Sequence, residues 1–158
     1  LSDVIRDIMK EAELETTREN LITFGTKLRE ENGNGVLVKK VLEKATDEGK
    51  YCITSIRHSE EVSELRKRKD FVLINIDAPQ GVRFERMQKR KKLGDPQTLE
   101  KFIELEKKES QTSGSGQQLR KTANMADITF INDSNNMSTL KATLDNLVEN
   151  FEKERRNL

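Results

Sequence analysis

The sequence has no tryptophan, one tyrosine, one cysteine, one histidine and two prolines among its 158 residues. Each shortage narrows the range of functions. A lone Cys52 cannot build a disulfide framework or a cysteine metal site within one chain, and its place in an apolar run fits a reducing, cytoplasmic compartment. A lone His58 excludes a multi-histidine metal cluster, so no metal ligands are assigned. One tyrosine and no tryptophan leave little on which nucleobases could stack, which counts against a single-stranded nucleic-acid binder. No apolar run approaches the ~20 residues of a membrane helix, and no membrane partner is expected. The start, "LSDVIRDIMKEAE", is amphipathic and acidic and lacks the pattern of a signal peptide. An excess of one charge is also missing. Lys and Arg number 29 against 28 Asp and Glu, so any useful positive charge must be local.

What the chain does have is length for one domain and helical periodicity. Ser2 is the expected N-cap of a first helix with Val4, Ile5, Ile8 and Met9 on one face. Thr16 with Glu19 reads as a capping box for a second helix carrying Leu21, Phe24 and Leu28 and ending at Asn32-Gly33. A third helix runs through Leu37, Val38, Val41, Leu42 and Ala45 to a stop at Gly49. Val62 and Leu65 mark a fourth. Three runs, "YCITSI", "FVLINI" and "ITFI", read as short buried strands. Thr98 caps a helix with Leu99, Phe102 and Ile103; "QTSGSGQQ" is a flexible loop; a final helix carries Leu140, Leu144, Leu147, Val148 and Phe151. Apolar strands alternating with helices predict an α/β fold, a parallel sheet flanked by helices on both faces.

Ligands in such sheets sit at the carboxyl ends of the strands. Polar residues gather there: Thr54-Ser55-Ile56-Arg57 after the first strand, Asp77 after the second, Asn132-Asp133 after the third. The helix after Asp77 repeats arginine at Arg83, Arg86 and Arg90, within an arc of roughly 60° at helical pitch. Like charges that close repel, and the planar fork of arginine matches phosphate oxygens. The plainer reading is a solvated basic face. Arg18, in the first turn of the second helix, opposes the helix dipole, so its position needs another reason. Arg6, Arg18 and Arg57 with the arginine helix shift the balance toward phosphate chemistry.

The stretches "LSDVIRDIMKEAELETTRENLITFGTKLREENGNGVL", "ITSIRHSEEVSELR", "FVLINIDAPQGVRFERMQKRKKLGDP" and "GQQLRKTANMADITFIND" together resemble the P-loop kinases, in particular the nucleoside monophosphate kinase and dephospho-CoA kinase group in its archaeal-type branch. The resemblance implies a P-loop kinase-like three-layer sandwich over residues 1–158, with a lid region about 83–116. It implies substrate contacts from Asp3, Arg6, Arg18 and Arg57, catalytic lid arginines at Arg86 and Arg90, and Asn132 beside the donor adenine. It also implies ATP and magnesium as cofactors in the complete family member and a small-molecule nucleotide as partner, with self-association left open. No G-x-x-x-x-G-K-[ST] loop is present, so the resemblance implies a domain without the first strand and P-loop helix. Two functions are then expected: an ATP-dependent phosphotransferase acting on a nucleoside monophosphate or dephospho-CoA-like acceptor, inactive as this stretch; or a non-catalytic nucleotide-binding or protein-interaction domain.

Overall fold

Val4, Ile5, Ile8 and Met9 recur at helical spacing and form α1 (Ser2–Glu11), which buries Ile5 and Met9. The computed structural model describes residues 1–46, 49–91, 95–110, 117–133 and 136–156, without the side chains of 18, 108–110 and 154–156. The N-cap of α1 is Leu1, with no side-chain cap bond, rather than the expected Ser2. Tertiary docking explains the shift: Leu1 is buried, and its nitrogen donates to Thr54 O at 2.7 Å. In α2 (Arg18–Asn32) the cap also sits one residue on from the expected Thr16, because Thr17 Oγ1 accepts from Asn20 N at 3.2 Å. The Asn20 side chain reaches back to Glu15 O at 2.9 Å and fixes that entry turn. Gly33 ends α2 at φ +84°, a setting side chains rarely adopt.

Helix α3 (Val36–Leu42) ends before Ala45 and Gly49, earlier than the glycine stop suggests. Helix α4 (Ser59–Leu65) starts from a capping box in which the His58 ring accepts from Glu60 N, with Glu61 reaching back to the cap. Leu1, Ile5, Met9, Val36, Leu37, Val38 and Leu65 form the core these four helices enclose. Leu21, Phe24, Leu28, Ile53, Ile56 and Phe71 pack around it.

The second half holds β1 (Ile74–Asp77), α5 (Gln80–Arg90), α6 (Leu99–Ser110), α7 (Leu119–Ala123), β2 (Ile128–Ile131) and α8 (Met137–Arg156). The two strands pair in parallel, Ile74 opposite Ile128 and Asp77 opposite Ile131. The helices between them supply the crossover a parallel pair requires. Phe84 of α5 and Phe102 of α6 meet with ring centroids 5.7 Å apart. Thr98 caps α6 as expected, accepting from Lys101 N. Asp127 ties the halves together: one carboxylate oxygen accepts from Leu73 N at 2.7 Å, the other from Arg66, the C-cap of α4, at 2.8 Å.

The fold is therefore mixed α/β, but among the described residues its sheet has two strands rather than three. "YCITSI" is not a strand. Ser55 takes φ +63°, which breaks the extended path, and Ile53 and Ile56 pack against the helical core instead. None of the eight strand residues is buried. At about 1.5–3 kcal/mol per fully buried aliphatic side chain, the helical cluster outweighs the sheet in apolar stabilisation. Among the described residues no helix is long and apolar enough to cross a membrane.

Candidate anion site at the strand ends

The carboxyl ends of β1 and β2 are joined by Asn132 N, which donates to Asp77 O at 2.7 Å. Asp77 then turns its carboxylate onto the start of α5, accepting from Ala78 N and from Arg83 Nη1, each at 2.7 Å. Arg83 also forks onto Glu106 of α6, at 2.8 Å from Nε and 2.7 Å from Nη2. The Glu106 bond, aided by Asp77, raises the Arg83 pKa above its ordinary value. Arg83 thus pins α6 and α5 to the strand end, and its fork is occupied by carboxylates. One turn further on, Arg86 donates to Asn132 O at 2.9 Å and Asn132 Oδ1 at 3.3 Å. At the end of α5, Arg90 forks onto the buried Asp95, at 3.2 Å and 3.1 Å.

A second group centres on Arg57. Its backbone N–H donates to Glu61 Oε2 at 2.8 Å, its carbonyl accepts from Gln118 N at 2.8 Å, and its Nη1 donates to Gln117 Oε1 at 3.1 Å. Glu61 also accepts from His58 N at 3.1 Å. Its other oxygen holds Arg29, at 2.8 Å from Nη2. That pair is shut away from water, with side-chain exposure of 4% for Arg29 and 0% for Glu61. Gln118 Oε1 accepts from Ser59 Oγ at 3.0 Å. The turn that carries Arg57 is thus fixed by a buried ion pair beneath it and by Gln117-Gln118 beside it. The left-handed backbone of Ser55 lies two residues upstream. Strain of that kind, costing about 1–3 kcal/mol, persists where the surroundings over-determine it.

The expected substrate residues Asp3 and Arg6 bind each other, with Arg6 Nη1 3.0 Å from Asp3 Oδ1. The Leu1 nitrogen, whose pKa burial pushes down, feels the charges of Asp3, Glu61, Arg57 and Arg6. The side chain of Arg18 lies outside the described residues, as do residues 92–94 and 111–116 of the expected lid region. The structure brings Arg86 onto Asn132, and the charges of Asp3, Arg6 and Arg57 all act on the Leu1 nitrogen. It sends Arg90 to Asp95. Asn132, expected beside an adenine, accepts from Arg86 through its carbonyl and side-chain oxygens.

Arg29, Glu61, Glu106 and Gln117 are among the participants that escaped the sequence reading. One signal was available for Arg29, which follows Leu21, Gly25 and Leu28 on the stripe of α2 that faces the core; a Cβ on Gly25 would sit 3.0 Å from Ile5. Among the described residues no group of three His, Cys, Asp or Glu could hold a metal, and Asp77 is engaged with Arg83. A shallow groove of about 430 Å³ lies between β2 and α8, lined by Ile128, Thr143, Asn146, Leu147, Asn150 and Phe151, and none of the site arginines borders it.

A small α/β domain with arginines set at its strand ends is the class these features define. No family model matches the chain. It is 31% identical over 140 residues to a UPF0200 protein of Pyrococcus abyssi, covering 84% of this chain and 72% of that protein. It is 31% identical over 135 residues to a UPF0200 protein of Sulfurisphaera tokodaii, covering 85% of this chain and 72% of that one. A UPF0200/UPF0201 protein of Archaeoglobus fulgidus is 33% identical over 138 residues, and there the match spans 41% of the relative's length. The chain belongs to the UPF0200 family. These relatives correct the expected membership of the P-loop kinases: they carry the UPF0200 name, and nothing in their names points to such a kinase.

Proposed function

We propose that this domain binds the phosphate of a small-molecule nucleotide, with Arg57 and Arg86 as its anion contacts. One observation carries the reading. Arg57 is oriented by the amide oxygen of Gln117, and Arg86 by the amide and carbonyl oxygens of Asn132. A planar guanidinium held at a fixed angle by amide and carbonyl oxygens is matched to the oxygens of a phosphate. Arg83 and Arg90 sit on carboxylates. Arg6 and Asp3, whose charges act on the Leu1 nitrogen together with that of Arg57, are assigned to the acceptor side.

Phosphoryl transfer in the whole protein, from ATP to a nucleoside monophosphate or similar acceptor, is the reaction class that suits an arginine at a strand end. Arg86 there meets charge that develops on the transferring group. Arg90 joins it only by releasing Asp95. Binding without transfer is the second reading, and the engagement of Arg83 and Arg90 with carboxylates favours it. We also propose a fuller parallel sheet, covered by helices on both faces, around β1 and β2, since parallel strands are normally buried on both sides. A cytoplasmic setting suits the single free cysteine, Cys52.

The test compares AMP with adenosine by isothermal titration. AMP binding that is lost when the phosphate is removed, and that weakens with added salt, supports a phosphate site. Equal heats for AMP and adenosine overturn it.

A further inference from the structure

The outer edge of β2 is open, and the ladder shows which groups face it. Ile128 N donates to Leu73 O and Asn132 N to Asp77 O, so alternate residues of β2 bond toward β1. The peptide groups of Thr129 and Ile131 therefore point to the other side, where no third strand lies among the described residues. Thr129 is exposed and Ile131 is 50% exposed. Natural sheet edges are blunted by lysine, proline or a bulge; "ITFI" has neither residue and pairs in unbroken register. The groove of about 430 Å³ lies beside this edge, lined by β2 and α8 and by no residue of β1. Ile128, Leu147 and Phe151 make it apolar, and no charged side chain lines it. Asn146 and Asn150 face it from α8, and neither amide has a partner among the described residues. Four residues of helix rise about 6 Å, and alternate peptide groups of an extended chain recur about every 6.6 Å. Two amides at this spacing match an extended backbone.

We infer that this groove takes an extended, uncharged peptide segment of a partner protein, which adds a strand to β2. Its backbone pairs with Thr129 and Ile131, its alternate side chains enter the apolar lining, and its outer peptide groups meet the amides of Asn146 and Asn150. A lining without charge decides against a phosphate or a nucleic acid here, and charges on the peptide would be buried unpaired. A second copy presenting its own β2 edge would bring its α8 against this one, so a single extended chain fits where a sheet edge does not. None of the site arginines borders the groove, so the inference stands apart from the phosphate reading. The fuller sheet proposed above has the free edge of β1 as well, which this peptide does not touch.

The experiment adds two probes to the wild-type chain and reads amide hydrogen exchange by NMR. One probe is a capped five-residue peptide alternating valine and threonine; the other is the same peptide N-methylated at alternate residues. The first slows exchange at Thr129 and Ile131 by about tenfold or more at saturation and leaves Ile128 and Phe130, which face β1, unchanged. The N-methylated probe cannot complete a ladder and has no effect. Asn146→Ala combined with Asn150→Ala keeps the melting temperature, since alanine favours a helix, and weakens the first peptide by about tenfold. No slowing at Thr129 and Ile131, equal slowing by both probes, or unchanged affinity in the double variant overturns the inference. Slowing without peptide that grows with protein concentration assigns the edge to a second copy and overturns it too. Slow exchange at the matching residues of a full-length UPF0200 relative without peptide assigns the edge to that protein's own chain, with the same consequence.

Discussion

Arg86 on α5 and Asn132 at the end of β2 form one unit: Nη1 donates to the Asn132 carbonyl at 2.9 Å and Nη2 to its side-chain oxygen at 3.3 Å. Asn132 N in turn donates to Asp77 O at 2.7 Å. The arginine is therefore referenced to both strands at once.

If the two residues act as one unit, their stability costs overlap. Arg86→Ala removes both bonds and lowers unfolding free energy by about 1–2 kcal/mol. Asn132→Ala removes the side-chain acceptor alone and costs less. Urea denaturation of the double variant gives a loss close to that of Arg86→Ala by itself. Strictly additive losses contradict the coupling.

The buried pair beneath the Arg57 turn behaves differently. Arg29→Met leaves the fully buried Glu61 carboxylate without its cation, at a cost of about 3–5 kcal/mol. Urea midpoints measure this, and a loss below about 1 kcal/mol means the pair is open to water. Because Glu61 also receives the N–H groups of Arg57 and His58, the same variant loosens the turn and raises hydrogen exchange there.

Acid exposes the clamp between the halves of the domain. Burial pushes the Asp127 carboxyl up, but the Leu73 N–H and the Arg66 guanidinium together outweigh it and hold the pKa below its ordinary value of 3.8. A folded pKa below the unfolded one contributes stability above the unfolded value and loses it as pH falls through the folded one. Asp127→Asn therefore lowers stability at neutral pH and flattens the decline below about pH 4. An acid limb identical in the two proteins counts against Asp127 as a clamp.

These relationships were unequally visible in the sequence. The runs Phe71 to Ile76 and Ile128 to Ile131 announce β1 and β2 by their β-branched and aromatic residues, and Thr98 announces α6 by its hydroxyl. Residues 51–56 have the same composition as a strand, yet a strand exists only if another backbone pairs with it, and local pattern does not encode that partner. Positive φ at Ser55 has no local signature either. Thr16 and Thr17 compete for one cap, and the Asn20 contact with Glu15 decides between them. Of the candidate site, Arg86 was singled out beside a strand end that exists, whereas Arg57 was singled out at the end of residues 51–56, which form no strand. Their partners were not legible. Arg29 and Glu61 lie 32 positions apart and Arg57 and Gln117 lie 60 apart, and a charged or amide residue reads by default as surface until its partner is known.

The central claim concerns Arg57, and AMP titration into Arg57→Ala and Arg57→Lys tests it most directly. The claim predicts that Arg57→Ala weakens AMP by at least about tenfold, as loss of a charge-assisted bond of about 1.5–3 kcal/mol requires. Arg57→Lys keeps the charge without the fork and recovers part of that loss. Adenosine, which has no phosphate, serves as the control, and the melting temperatures of both variants stay near that of the wild type. Wild-type AMP affinity in a folded Arg57→Ala variant contradicts the account.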